Sequence, residues 1–260
     1  ITHNFLTILS YGEEDNAVIY GLNCQISCRI LLYCYSFRGG LIKMYNHIYG
    51  LNTNVFSDEK IFGIYYNTMP QNRKLKIDHM KFGKDKRLSL GAGVLIQKAL
   101  DFFELSYTDI YYNKYGKPLI SCKDDAFFNI SHSGNIVVCA VSDYQIGVDI
   151  EEIQCFEENV LKCAFLQSEI SHIRNHSFDL NYDFTKLWTA KESIVKYLGL
   201  GFSLDPLKLY FNNEVQDEIY CDGKKLSKLF FKTYDLNGYV ITVCSECETF
   251  SENIEWFVPE

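Results

Sequence analysis

The polar and apolar positions change rhythm part-way along the chain. Up to about residue 57, short apolar runs alternate with GG, NTN and NHIYG and carry no motif. From Lys60 the pattern is regular. KIFGIYY (60–66) is dense in β-branched and aromatic residues and predicts a β-strand. Residues 71–105 predict helix with a break near Gly83, and Leu90, Val94, Leu95, Ala99, Phe102 and Phe103 form its apolar face. NKYGKPLIS (113–121) predicts a turn leading into a strand. AFFNISHSGNIVVCAVSD (126–143) predicts two strands around SHSGN, a hairpin pattern, and IGVDIEEI (146–153) a further strand. Residues 158–175 predict a helix. Residues 184–201 predict another, with Leu187, Trp188, Ile194, Val195 and Leu198 on its apolar face and Gly199 or Gly201 stopping it. Strands at LKLYF, KLFFKTYD and GYVITVCSE close the chain, separated by Asn/Gly turns.

A helix–strand–strand unit thus occurs twice, at 84–142 and at 184–245. The order is not the strict alternation of a doubly wound sheet, so the expected class is α+β, with two similar halves. Three segments are expected: an N-terminal extension of unclear role over 1–57, a first subdomain over 58–145 and a second over 146–260.

Composition narrows the function. The 260 residues carry 47% hydrophobic content, enough for a sizeable core. The net charge of −8 argues against nucleic-acid binding through a broad basic surface. The run ISCRILLYCYSF (26–37) is too short to cross a bilayer and contains Arg29, so a buried strand or short helix is expected there and no membrane role. The opening ITHNFLTILSYGEED lacks a basic signal region, and the ten cysteines form no compact framework. Free thiols in the cytoplasm are expected. CSEC (244–247) is a lone pair of cysteines at a strand end, and His172 and His176 read as a surface pair.

The chemistry gathers around acids. On a strand, residues two apart share a face, so Asp149 and Glu151 project together while Ile150 turns to the core. Two such carboxylates repel unless a cation lies between them or one is protonated. An all-oxygen set suits a hard cation such as Mg²⁺. Taken alone, this pair reads as a solvated strand end. On the helix, Glu192 and Lys196 are four apart and share a face. Ser131, His132 and Ser133 sit at a strand end before Gly134, where hydroxyls, an imidazole and turn N–H groups suit phosphate. Lys117 lies in the turn YGKP.

Together, YGKP, FNISHSG, IGVDIE and LWTAKESIVKYLGLG, in that order, resemble the Sfp-type 4′-phosphopantetheinyl transferase family. The resemblance spans roughly 58–260, with KIFGIYY in the place of the family's first strand. It implies two similar α+β subdomains with the active site in the cleft between them. It implies transfer of the 4′-phosphopantetheine arm of coenzyme A to a serine of an apo acyl or peptidyl carrier protein, with release of 3′,5′-ADP. The metal would be Mg²⁺, with Mn²⁺ able to substitute, and a cytoplasmic monomer is expected. By the same resemblance, Asp149, Glu151 and Glu192 hold the metal. Glu192 is also the general base, and Lys196 faces the pyrophosphate. Ser131, His132 and Lys117 contact the coenzyme, and Arg87 is the 3′-phosphate contact, with Arg73, Lys74 and Lys76 nearby. A Mg²⁺-dependent phosphohydrolase and a non-catalytic carrier-binding protein are the rival readings.

Overall fold

A computed structural model describes residues 46–212 and 218–259, together with the short strands β1 (Ser36–Phe37) and β2 (Gly40–Leu41). The chain divides into two compact units, Ile1–Lys43 and Met44–Glu260. In the first, β1 and β2 pair antiparallel, Ser36 opposite Leu41. The apolar run 26–37 lies outside the described residues before Ser36.

The second unit opens with β3 (His47–Asn52). The helices α1 (Glu59–Thr68), α2 (Gln71–Asp78) and α3 (Gly83–Phe102) follow. A small hairpin, β4 (Ile110–Tyr112) and β5 (Pro118–Ile120), precedes the longer hairpin β6 (Phe127–Ser133) and β7 (Ile136–Ser142). Next come β8 (Ile146–Glu152), α4 (Glu158–Ala164), α5 (Gln167–His176) and α6 (Leu180–Leu198). The strands β9 (Leu209–Asn212), β10 (Glu218–Cys221) and β11 (Lys224–Leu226) form a separate three-stranded sheet. The hairpin β12 (Phe230–Leu236) and β13 (Tyr239–Ser245) and the short β14 (Glu255–Trp256) complete the chain.

The two halves repeat one plan. In the first, the opening strand β3 pairs with the last strand of the hairpin, giving the order β3-β7-β6, with β14 added on the far side of β3. In the second, β8 pairs with β13 in the order β8-β13-β12. Both sheets are antiparallel along these pairs, with Ile48 opposite Ala140 and Ile150 opposite Ile241. α3 packs on the first sheet and α6 on the second. This is the α+β duplication that the sequence pattern implies.

Two expectations are corrected. KIFGIYY is not a strand: it lies in α1. Asp58 caps that helix by accepting hydrogen bonds from the Lys60 and Ile61 N–H groups. Ile61, Phe62, Tyr65 and Tyr66 then turn one helical face to the core around α3. The opening strand is instead HIYGLN, inside the stretch set apart as an extension, and its Ile48 and Leu51 are fully buried. Residues 158–175 likewise form two helices, because Phe165 and Leu166 are extended.

Two glycines fix the second half. Gly199 ends α6 with φ of 67°, the left-handed conformation that suits glycine. Gly147 on β8 lies directly under α6, where a Cβ would run into the Ser193 carbonyl and the Tyr197 N–H. Its lack of a side chain lets α6 lie against the strand that carries Asp149. Beneath, Val148, Ile150, Ile241 and Val243 are wholly buried, each stabilising the fold by about 1.5–3 kcal/mol.

Candidate active site

A cavity of about 640 Å³ opens between α3 on one side and β8 with α6 on the other, with β6 at its base. Alternation along β8 decides what faces it. Val148 and Ile150 go to the core, whereas Asp149 and Glu151 line the cavity. From α6, Trp188, Glu192 and Lys196 line it at helical spacing, with Lys196 one turn beyond Glu192. From β6 come Ser131 and His132.

The polar network is specific. The Ser131 hydroxyl donates to Asp149 Oδ1 at 2.8 Å and the Ser133 hydroxyl to Glu151 Oε2 at 3.0 Å. The Lys196 ammonium donates to both Asp149 Oδ1 and the Ser131 hydroxyl. The Val148 N–H donates to the Asn129 side-chain oxygen at 2.9 Å. Asp149 is 2% exposed, and its second oxygen, Oδ2, is buried with no hydrogen-bond partner. Burial, and then the Asp149 charge, push the Glu151 carboxyl above its ordinary range. The same two causes, in the same order, raise Glu192, and Lys196 opposes both shifts. Three carboxylates therefore share one ammonium. That end of the cavity is short of positive charge.

This arrangement fits a hard divalent cation. The donors are all carboxylate oxygens, one of them buried and unpartnered, in a site with excess negative charge. Among the described residues, however, no three His, Cys, Asp or Glu side chains stand close enough together to grip an ion as they are. The Lys196 ammonium pairs with Asp149 Oδ1 instead.

Glu152, the next acid along β8, points away from the cavity and accepts from the Tyr239 hydroxyl at 3.0 Å. The remaining expected residues divide. Lys117 is not in the cavity wall, although its neighbours Gly116 and Pro118 are. Its ammonium donates to the Tyr197 carbonyl at the end of α6 at 2.9 Å, and burial lowers its pKa from 10.5 to about 8. Arg87 also lies outside the wall, with its Nε buried and unpartnered. The cations on the α3 side are Arg73 and Lys76 of α2. Lys74 donates instead to the Asn67 carbonyl.

Lys191 is a residue that sequence reasoning missed. It turns away from Glu192, into the interior, and pairs with Glu169 of α5 at 2.7 Å. Its ammonium also donates to the Ala164 carbonyl and stands 5.1 Å over the Phe165 ring. Glu169 in turn accepts from the Leu166 and Phe211 N–H groups. This knot fixes the rotation of α6 about its axis and so aims Glu192 and Lys196 at the cavity. Only the neighbouring position of Lys191 and Glu192, which sends them to different helix faces, hinted at it.

Comparison with known proteins identifies the family. Residues 145–244 match the family model of the 4′-phosphopantetheinyl transferase superfamily. Residues 57–144 match that of the 4′-phosphopantetheinyl transferase N-terminal domain. The 4′-phosphopantetheinyl transferase Sfp of Bacillus subtilis (strain 168) is 32% identical over 216 residues, covering 75% of this chain and 96% of the relative. The 4′-phosphopantetheinyl transferase gsp of Aneurinibacillus migulanus is 32% identical over 168 residues, covering 62% and 70%. The L-aminoadipate-semialdehyde dehydrogenase-phosphopantetheinyl transferase of Xenopus laevis is 28% identical over 160 residues, covering 53% and 52%. Among the described residues, no helix is long and apolar enough to cross a membrane. Sequence, duplicated fold and acidic cleft converge: the chain belongs to the 4′-phosphopantetheinyl transferase superfamily, enzymes that transfer the phosphopantetheine group of coenzyme A to carrier proteins.

Proposed function

We propose that the cleft binds coenzyme A and Mg²⁺ and loads a carrier-protein serine, with Asp149, Glu151 and Glu192 holding the metal. The single observation that supports this most is the unpartnered, buried Asp149 Oδ2, on a wall shared with Glu151 and Glu192 and only one lysine. Bound there, Mg²⁺ would neutralise charge on the pyrophosphate as the phosphoryl group transfers.

The chain's own residues divide the rest of the work. Lys196 turns from Asp149 to the pyrophosphate oxygens, and Ser131 and His132 hydrogen-bond the phosphates from β6. Arg73 and Lys76 face the 3′-phosphate, in the place first expected of Arg87. The carrier serine oxygen attacks the phosphorus that bears the pantetheine arm. The bond from that phosphorus to the bridging oxygen breaks, and 3′,5′-ADP leaves. The serine proton goes to the Glu192 carboxylate, which lines the cavity one helical turn before Lys196. We infer further that the enzyme acts as a cytoplasmic monomer without nucleic acid. The seven cysteines among the described residues, all free, and the charge of −8 support that setting.

The test is incubation with coenzyme A, Mg²⁺ and a panel of apo carrier proteins, read by intact mass. One phosphopantetheine per carrier is expected, with 3′,5′-ADP released in equal amount. Hydrolysis of coenzyme A without carrier loading would overturn the proposal.

A further inference from the structure

The α3 side of the cavity holds a polar group that nothing in the fold satisfies. Asp85, Leu88, Ser89, Ala92 and Ile96 of α3 line it, at the spacing of one helix face. Three are apolar. Ser89 is 7% exposed, and its hydroxyl is buried without a hydrogen-bond partner. A serine inside a helix commonly bonds back to a carbonyl of the preceding turn. Ser193 of α6 does so, donating to the Ala190 carbonyl at 2.7 Å. An unsatisfied buried hydroxyl destabilises a fold, so its place in a ligand cavity needs a reason.

The surroundings point to the kind of ligand atom it meets. Arg73 crosses α3 one turn further on, with its Cγ 3.3 Å from where a Gly93 Cβ would stand. Beyond Asp85 at its start, this wall is thus apolar, flanked by a cation, with Ser89 as its one buried hydrogen-bonding side chain. The carboxylates and Lys196 lie across the cavity on β8 and α6. A polyanionic pyrophosphate belongs there, with Lys196 and the cation proposed at the carboxylates. A nucleoside, with an aromatic base and a phosphate for Arg73, fits the α3 wall.

We propose that Ser89 is a specificity-determining residue that hydrogen-bonds the nucleoside of coenzyme A. This rests on the reading of the cavity as the coenzyme A site. The hydroxyl is kept at a cost to the empty protein and is satisfied when the nucleoside is bound. Stability and affinity therefore pull in opposite directions at this position.

The experiment compares the full chain with Ser89→Ala by calorimetric titration of coenzyme A, 3′,5′-ADP and 4′-phosphopantetheine, and by melting without ligand. S89A should weaken coenzyme A and 3′,5′-ADP alike by about fivefold, the effect of one neutral hydrogen bond. Affinity for 4′-phosphopantetheine should be unchanged. The variant should melt about 2–4 °C higher than wild type. Its KM for coenzyme A should rise with kcat unchanged. Equal 3′,5′-ADP affinity in the two proteins, a loss confined to 4′-phosphopantetheine, or a lower melting temperature would each overturn the assignment. If the wild type binds none of the three ligands, the reading of the cavity itself fails and Ser89 falls with it.

Discussion

Replacing Lys191 with Met should unfold the protein far more readily than its sequence position suggests. The Lys191 and Glu169 side chains are 2% and 1% exposed and lie 2.7 Å apart. K191M leaves the Glu169 carboxylate charged, buried and without its counter-charge. Removing one partner of such a pair costs about 3–5 kcal/mol. For a protein of this size that is a fall of roughly 6–20 °C in Tm. Surface pairs give the scale for comparison. Arg174 and Glu158 also pair, but their side chains are 43% and 50% exposed, so R174A should cost about 0–1 kcal/mol. Adding E169Q to K191M removes the stranded charge and should recover part of the loss. Recovery should stay incomplete, because Glu169 also accepts from the Leu166 and Phe211 N–H groups. Thermal denaturation of the four proteins measures this. If K191M melts within 2 °C of R174A, the buried pair does not hold α6 and the reasoning is refuted.

Glu192→Gln should lower carrier loading by about 10²–10⁴-fold, the usual worth of a general base. The same variant should stabilise the ligand-free fold at pH 7, since burial and the Asp149 charge disfavour the Glu192 carboxylate there; a lower melting temperature would contradict this. Lys117 gives a pH signature. Unfolded, it stays protonated up to 10.5, whereas folded it loses its proton above about 8. Between these values the unfolded state binds more protons, so stability should rise with pH, and Lys117→Met should flatten that rise in denaturation curves from pH 7 to 10. Gly147→Ala should push α6 off β8, costing about 1–3 kcal/mol or more by urea midpoint and reducing carrier loading as well.

Much of the site was legible because period and spacing are local properties. Asp149 and Glu151 share a strand face, and Glu192 and Lys196 a helix face, wherever the strand and helix are placed. What failed was choice of element where composition and context disagree. KIFGIYY has strand composition, but Asp58 caps it and its apolar residues fall at helical intervals, so packing against α3 prevails. HIYGLN is short, carries Gly50 in its middle and ends on Asn52, and only its pairing with β7 on one side and β14 on the other makes it an internal strand. Lys117 and Arg87 look equally basic in sequence to Arg73 and Lys76. Which of them reaches the cavity depends on tertiary placement, as does the burial of Lys191 with Glu169.

The joint between the two halves has a consequence of its own. β6 and β8 belong to different sheets, and between them Asn129, Ser131 and Ser133 bond Val148, Asp149 and Glu151 through side chains. Two of these three stitches end on carboxylates that also line the cavity. Thermodynamic linkage then makes the seam and the site reciprocal: whatever factor ligand binding applies to the strength of the seam, the seam applies to ligand affinity. Ser133, which is not in the cavity wall, is therefore an energetic part of the site. Evolution can tune affinity there by adjusting how firmly one half of the molecule holds the other.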